Sequence, residues 1–211
     1  MVQQMTYTQQ FNIAYAATCE NEGGWVNDPK DKGWETYEGV SRKFWPNWIG
    51  WAIVDSYKKE YGATAKILNP LLQTDDQLQY YVKDFYFNNF WLKLSLDVLS
   101  VTSQLIAKEV FDTAVNVGIS TAVNFLQRGL NSLLMIKAAA DEKLPRLLKV
   151  DGRIGAITRE SFKLCPLQNG GEEILMTMLN SQQCVYYMEL VEKNPQQARF
   201  LKGWIMKRVK L

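Results

Sequence analysis

Apolar side chains recur at helical spacing along most of the chain. The first pattern joins Phe11, Tyr15, Thr18 and Glu22, so one face of a helix over residues 8–22, with Thr8 as its N-cap, runs from apolar residues into a carboxylate. Similar patterns predict helices over 48–61, 75–91, 105–117, 120–134, 172–193 and 196–207. No strand-length alternation of apolar and polar residues competes with them, so the sequence predicts a mainly α fold.

A polar segment interrupts the helical pattern directly after Glu22. Gly23 and Gly24 predict the end of the first helix, and the residues up to Tyr37 are rich in Gly, Pro and Asp, which favours a loop. We expect the apolar helix face to desolvate the carboxyl group of Glu22, and desolvation disfavours the charged form of an acid. A carboxyl group in this setting, beside a polar loop, is a candidate general acid.

The same polar segment resembles the signature of a known family. It reads Glu22-Gly23-Gly24-Trp25-Val26-Asn27-Asp28-Pro29-Lys30-Asp31-Lys32-Gly33. The family is glycoside hydrolase family 108, the phage and bacterial N-acetylmuramidases, also called secretion activator proteins. Later parts of the chain are similar to later blocks of that family: Tyr81 to Trp91, Phe111 to Gly118, Leu126 to Arg128, Asp151 to Thr158 and Gly203 to Arg208. The resemblance extends over about residues 11–209.

This resemblance implies two domains and an activity. A lysozyme-like catalytic region is expected over residues 1–96, and a helical region similar to peptidoglycan-binding modules over residues 97–211. Asp151-Gly152-Arg153-Ile154-Gly155 and Thr158 form a pattern that such modules use to fix a turn and a helix start. The implied partner is the glycan strand of peptidoglycan, cut between N-acetylmuramic acid and N-acetylglucosamine.

Three residues are the predicted catalytic set. Glycosidic hydrolysis needs an acid that protonates the departing oxygen, and usually a second carboxylate that assists water or stabilises positive charge at the anomeric carbon. Glu22 is the predicted acid. Asp31 and Thr36 follow with a spacing similar to the Glu-x8-Asp-x5-Thr arrangement of phage-type lysozymes, the threonine standing one residue early. Asp31 is the predicted second carboxylate, Thr36 helps to hold water, and Glu38 is a possible further acid.

Five further residues are predicted to contact the substrate. Trp25 and Tyr37 are candidates for stacking on sugar rings, because a flat aromatic face suits the C–H face of a pyranose. Asp28 is a polar candidate, although the following Pro29 also favours a simple turn.

The two remaining candidates lie later in the chain. Asp112 and Asn116 are four residues apart and share a helix face, where they either line the cleft or satisfy each other and nearby backbone. Trp45 and Trp48 are also candidates for stacking on sugar, but the spacing by three of Trp45, Trp48 and Trp51 favours a core position for all three.

One departure from the family pattern keeps other functions open. Trp34 stands where the family has a glycine. If that glycine has a positive φ in the family, the loop of this chain must change to accommodate a tryptophan. The alternatives are a lytic transglycosylase, which closes an anhydro ring on the same bond, and a non-enzymatic wall-binding or secretion-promoting protein that kept the fold.

Composition narrows the function classes. The chain has 24 basic and 22 acidic residues, a net charge of +2, so nothing in the total charge favours nucleic acid as a partner. It has no histidine, which excludes Ser-His and Cys-His catalysis and makes most zinc sites unlikely, so neither a metal nor a cofactor is expected. The three cysteines, Cys19, Cys165 and Cys184, lack paired spacing and are predicted to be free thiols.

Hydropathy sets an expectation for localisation. The first 24 residues show no basic start followed by an apolar stretch, and the chain has no run of 18 apolar residues. We therefore expect synthesis in the cytoplasm without a signal peptide or a membrane span. The protein would act on the cell wall, in the periplasm, after release or export, as a phage or prophage endolysin does.

Overall fold

Helices make up most of the described chain, and the prediction of a mainly α fold is confirmed. The computed structural model describes residues 7–19, 23–27, 35–141 and 147–209. In order, the elements are α1 (Gln9–Cys19), β1 (Trp25–Asn27), β2 (Glu35–Tyr37), β3 (Val40–Ser41), α2 (Gly50–Tyr61), α3 (Ala65–Gln73), α4 (Asp76–Tyr86), a π-helical turn (Phe87–Trp91), α5 (Leu96–Thr102), α6 (Gln104–Val117), α7 (Ile119–Asp141), α8 (Ala156–Leu164), α9 (Gly171–Lys193), a 3-10 turn (Pro195–Gln197) and α10 (Ala198–Arg208).

The chain divides into two units. The small unit comprises Tyr15–Asn89 and contains the β-strands and helices α2 to α4. The large unit comprises Met1–Ala14 and Phe90–Leu211 and contains helices α5 to α10. The predicted domains, residues 1–96 and 97–211, were assigned a function as well as a boundary, and this assignment stays a prediction.

A small antiparallel sheet occupies the segment that the sequence predicts as a loop. Strand β2 lies between β1 and β3, with Trp25 opposite Tyr37, Val26 opposite Thr36, Asn27 opposite Glu35, Thr36 opposite Ser41 and Tyr37 opposite Val40. Glu38 and Gly39 join β2 to β3, and both have a positive φ, 42° and 78°, as a two-residue type I′ hairpin requires. The loop prediction was therefore wrong for Trp25–Asn27 and Glu35–Tyr37.

Helix α4 supplies one buried face to the small unit. Its buried residues, Leu78, Val82, Phe85 and Tyr86, follow helical spacing, while its two other aromatic side chains, Tyr80 and Tyr81, are half-buried. The N-cap of the helix is Asp75, whose Oδ1 accepts a hydrogen bond from the amide of Leu78 at 2.8 Å. The sequence predicts one helix over 75–91, whereas α4 ends at Tyr86 and a π-helical turn continues to Trp91.

Aromatic side chains form the centre of the large unit. Phe11, Trp91 and Phe111 are fully buried, and their ring centroids lie 5.6 to 5.9 Å apart with steep interplanar angles. Such edge-to-face contacts are favourable beyond the area that they bury. Helix α1, whose predicted N-cap Thr8 accepts a hydrogen bond from the amide of Phe11 at 3.2 Å, brings Phe11 into this cluster.

The later helices largely follow the sequence pattern. Helix α6 ends at Val117, as predicted, and is followed by Gly118, whose φ is 92°. Helix α9 begins at Gly171, one residue before its predicted start, and follows Gly170, whose φ is 89°. Helix α7 differs, because it extends from Ile119 to Asp141 whereas the predicted helix ends at 134. The added residues include Lys137 and three alanines, which are strong helix formers.

One buried amide holds the turn that precedes α8. Gln127 on α7 is 1% exposed, and its Oε1 accepts hydrogen bonds from the amides of Asp151 and Gly152 at 3.0 and 3.1 Å. Its Nε2 donates to Asp151 Oδ1 and to the Arg153 carbonyl, each at 3.0 Å. The hydrogen bond from Gln127, followed by that from the backbone of Arg153, lowers the pKa of Asp151. A single side chain therefore satisfies most of the turn's polar groups.

We predict that Gln127→Ala lowers the free energy of unfolding by about 2 to 4 kcal/mol, because buried amides of the turn lose their acceptor. Urea unfolding measures the change, and Gln168→Ala, at an exposed glutamine of the same unit, is the control. Equal stability of the two variants would contradict this role of Gln127.

Candidate functional site

Three predicted site residues, Glu22, Asp28 and Asp31, lie outside the described residues, but the backbone on either side of them is described. Glu22 stands three positions before β1, Asp28 directly follows β1, and Asp31 belongs to the connection between β1 and β2. This connection leaves the sheet at Asn27 and returns at Glu35, which are cross-strand partners. Both ends of the segment that carries Asp28 and Asp31 are therefore fixed by strand pairing.

Thr36 lies on the less buried face of the sheet. Side chains alternate along a strand, so Thr36 points to the opposite face from its buried neighbours Glu35 and Tyr37. On that face Thr36 is half-buried and lies opposite Val26, which is 45% exposed, and Ser41, which is buried. The structure thus places the predicted catalytic threonine next to an exposed part of β1.

On the other face of the sheet, the buried carboxylate of Glu35 binds several side chains. Glu35 is 8% exposed, and its Oε1 accepts hydrogen bonds from the Trp25 indole at 2.8 Å and from Lys58 Nζ at 2.7 Å. Arg42 Nε lies 3.0 Å from the second carboxylate oxygen. Two cations and one neutral donor thus compensate a charge that would be costly to bury alone.

Asp55 on α2 extends this ion cluster toward the surface. Its Oδ1 lies 2.8 Å from Arg42 Nη2 and 3.3 Å from Lys58 Nζ. Burial acts to raise the pKa of Asp55, but the hydrogen bonds and charges of Arg42 and Lys58 together lower it below its usual value. Its contribution to stability is therefore complete at neutral pH and is lost as the pH falls through the lowered pKa. That contribution is small, because the side chain is half exposed.

The sequence gives little indication of the role of Glu35. Its only local signal is the alternation of Glu35, Thr36 and Tyr37, which is too short to identify a strand from sequence. The cations that pair with it, Arg42 and Lys58, come from other elements, and their proximity depends on the fold.

The two aromatic residues predicted to stack on sugar are buried. Trp25 is 3% exposed, and its amide donates a hydrogen bond to Asn69 Oδ1 on α3 at 2.6 Å. Tyr37 is fully buried, and its hydroxyl accepts a hydrogen bond from Gln79 at 2.8 Å. Burial, followed by the charge of Glu38, raises the pKa of Tyr37 above its ordinary value. Both rings pack inside the small unit. In this conformation neither ring has an exposed face on which a sugar could stack.

Asp112 and Asn116 belong to the large unit and have internal partners. Asp112 Oδ1 forms an ion pair with Arg208 Nη1 at 2.9 Å. Asn116 Oδ1 accepts a hydrogen bond from the Tyr187 hydroxyl at 2.6 Å, and the Tyr187 ring stacks on Trp204 with centroids 5.2 Å apart. These contacts join α6 to α9 and α10. They agree with the alternative interpretation of the sequence, in which Asp112 and Asn116 hydrogen-bond with nearby groups of the protein. A role of either residue in substrate binding stays a prediction.

Within the described ranges, no group of three or more Cys, Asp or Glu side chains is arranged to hold a metal ion. Over the same residues, no helix combines the length and apolar character needed to cross a membrane. Among the described residues, Cys19, Cys165 and Cys184 form no disulfide bond, as the sequence predicts.

Comparisons with known proteins divide the chain into two matched segments. Residues 15–118 match the family model described as Glycosyl hydrolase 108, and residues 121–209 match the one described as Predicted Peptidoglycan domain. Among solved structures, SagA of Brucella abortus has a similar fold, with a TM-score of 0.57 and 20% sequence identity over 93% of this chain and 88% of that chain. No curated protein matches the sequence. At this identity the structural similarity shows a shared fold.

The glycines after Glu22 provide a test of how β1 is fixed. A Cβ added at Gly24 would lie 2.5 Å from Asn69 Oδ1, the atom that accepts the Trp25 amide, whereas a Cβ at Gly23 would meet nothing within 4 Å. We predict that Gly24→Ala displaces Asn69 and costs roughly 1 to 3 kcal/mol of stability. Gly23→Ala is the matched control and should change stability by less than about 0.5 kcal/mol in the same urea titration. Similar losses of stability in both variants would contradict the claim that the contact with Asn69 is what requires a glycine at position 24.

Proposed function

Since the chain belongs to the glycosyl hydrolase 108 family through residues 15–118 and carries a peptidoglycan domain over residues 121–209, we propose that it hydrolyses the glycan strands of peptidoglycan. The bond we propose is the one between N-acetylmuramic acid and N-acetylglucosamine, which the sequence resemblance implies. The observation that carries the proposal is the order of these two matches. A segment that matches a glycosyl hydrolase family is followed by a segment that matches a peptidoglycan domain. The enzyme would meet its substrate at the cell wall after release or export.

In the proposed reaction, Glu22 acts as the general acid. Its proton passes to the glycosidic oxygen as the bond from that oxygen to the anomeric carbon breaks, and water then supplies the oxygen that the anomeric carbon gains. The support is positional, since Glu22 is only three residues from Trp25. Trp25 is fixed on both sides, by its amide contact with Asn69 and by its indole contact with Glu35. A short, anchored connection suits the accurate positioning that proton transfer needs.

Asp31 and Thr36 are the proposed partners of the acid. Asp31 would stabilise positive charge at the anomeric carbon or accept a proton from the attacking water, and Thr36 would hold that water through its hydroxyl. Supporting this, Thr36 lies on the less buried face of β2, and the ends of the segment carrying Asp31 are paired in the sheet. Asp28, which directly follows β1, is proposed to contact the sugar from the same segment.

We predict that Glu22→Gln lowers the rate of release of soluble fragments from purified peptidoglycan by about 100-fold or more, because glutamine cannot donate the proton. The matched control is Glu20→Gln, which makes the same chemical change two positions earlier in the sequence. Binding of the Glu22 variant to insoluble peptidoglycan should be retained.

Mass spectrometry of the fragments distinguishes the alternatives. Hydrolysis gives reducing muramic acid ends, whereas a lytic transglycosylase gives anhydro ends lighter by one water. Wild-type protein that binds purified peptidoglycan without releasing fragments would contradict the enzymatic proposal and favour a wall-binding protein.

A further inference from the structure

A short exposed segment with two aromatic residues follows strand β3. Lys43, Phe44, Trp45, Pro46 and Asn47 are all exposed, with Phe44 65% and Trp45 36% exposed. These values contrast with the burial of the two aromatic residues, at positions 25 and 37, that the sequence favours for sugar binding. In the small unit, aromatic ring surface is therefore available directly after β3.

The backbone of this segment is held in place. The amide of Trp45 donates to the Ser41 carbonyl at 2.9 Å, and the Trp45 carbonyl accepts from the Trp51 indole at 2.9 Å. The Trp45 ring packs edge-on against Phe85, with centroids 4.9 Å apart at an angle of 87°. One side of the indole is thus anchored in the core while more than a third of its area stays exposed. A rigid aromatic surface loses little conformational entropy when a ligand binds.

The segment directly follows β3, the strand that pairs with the strand carrying Thr36. Ser41, whose carbonyl binds the Trp45 amide, is the cross-strand partner of Thr36. Cross-strand partners lie about 5 Å apart between their Cα atoms. The aromatic segment therefore starts one strand away from the proposed catalytic threonine.

Charge next to the rings matches the polymer that we propose as substrate. Lys43 is exposed, and its Nζ lies 5.9 Å from the centre of the Phe44 ring. Muramic acid carries a lactyl group that ends in a carboxylate or in a stem peptide, which is itself acidic. A ring face beside an ammonium group complements the apolar face of a pyranose that carries a carboxylate.

The size of the patch favours a sugar over a second protein. Five consecutive exposed residues, including a lysine and an asparagine, give far less apolar area than the roughly 800 Å² that each partner of a stable protein interface buries. A single pyranose ring requires only one or two aromatic faces.

From these observations we propose that Phe44 and Trp45 form a sugar-binding subsite that holds one ring of the glycan strand next to the cleavage point. Lys43 contacts the carboxylate that this sugar carries. This inference rests on the proposed function. The two residues position the strand and do not take part in bond cleavage.

The test uses soluble glycan strands prepared from purified peptidoglycan, with and without their stem peptides. Phe44→Ala should lower kcat/KM by about tenfold, mainly through a higher KM, because it removes a binding surface and no reacting group. Phe44→Tyr keeps the ring and should restore most of the activity. Phe44 is largely exposed, so its replacement carries little risk of unfolding.

The matched control is Tyr61→Ala. Tyr61 is an aromatic residue of the same unit with 44% exposure, at the far end of α2 and about 16 Å along the helix from Gly50. Its replacement should leave kcat/KM unchanged.

The outcomes separate this inference from the proposed function. An active wild type with Phe44→Ala equally active on both kinds of strand overturns the subsite and leaves the hydrolase proposal intact. A loss confined to kcat, with KM unchanged, also overturns it. Wild-type protein that cuts neither kind of strand contradicts the proposed function and the subsite together.

Discussion

The small unit depends on one buried carboxylate, that of Glu35. Its oxygens contact the indole of Trp25 on β1, Lys58 on α2 and Arg42 after β3, so one side chain joins three elements. Removing one partner of such a buried group typically costs several kcal/mol, because the others are left uncompensated. The proposed catalytic residues are close to this arrangement in sequence, since Glu22 precedes Trp25 by three residues and Thr36 directly follows Glu35.

Polar side chains have a comparable role in the large unit, where they fix turns and helix contacts. The Gln127 amide organises the turn at Asp151, and the Asp112–Arg208 ion pair joins α6 to α10. This explains why the family resemblance extends to residues that need not touch a substrate. A peptidoglycan-binding surface on this unit would be presented by helices that these contacts hold in place.

The sequence predicts the long helices because their signals are long, with apolar spacing sustained over several turns and glycines such as Gly118 and Gly170 at the ends. It does not predict the short helices α3 and α5. It does not predict the sheet, because strands of two or three residues carry too little alternation, and the Gly-rich composition around them favours a loop. The burial of Trp25 and Tyr37 follows from the sheet, because strand pairing turns both side chains to one face. Trp45, which the spacing of the tryptophans predicts to be core, is instead 36% exposed beside the exposed Phe44.

The most direct test of this account is amide hydrogen exchange in Glu35→Ala. If the carboxylate holds the sheet to α2, the hydrogen-bonded amides of β1 and β2 should exchange substantially faster than in the wild type, while those of α9 in the large unit keep their protection. Unchanged protection in β1 and β2 would contradict the claim that Glu35 fixes the strands that carry the proposed site.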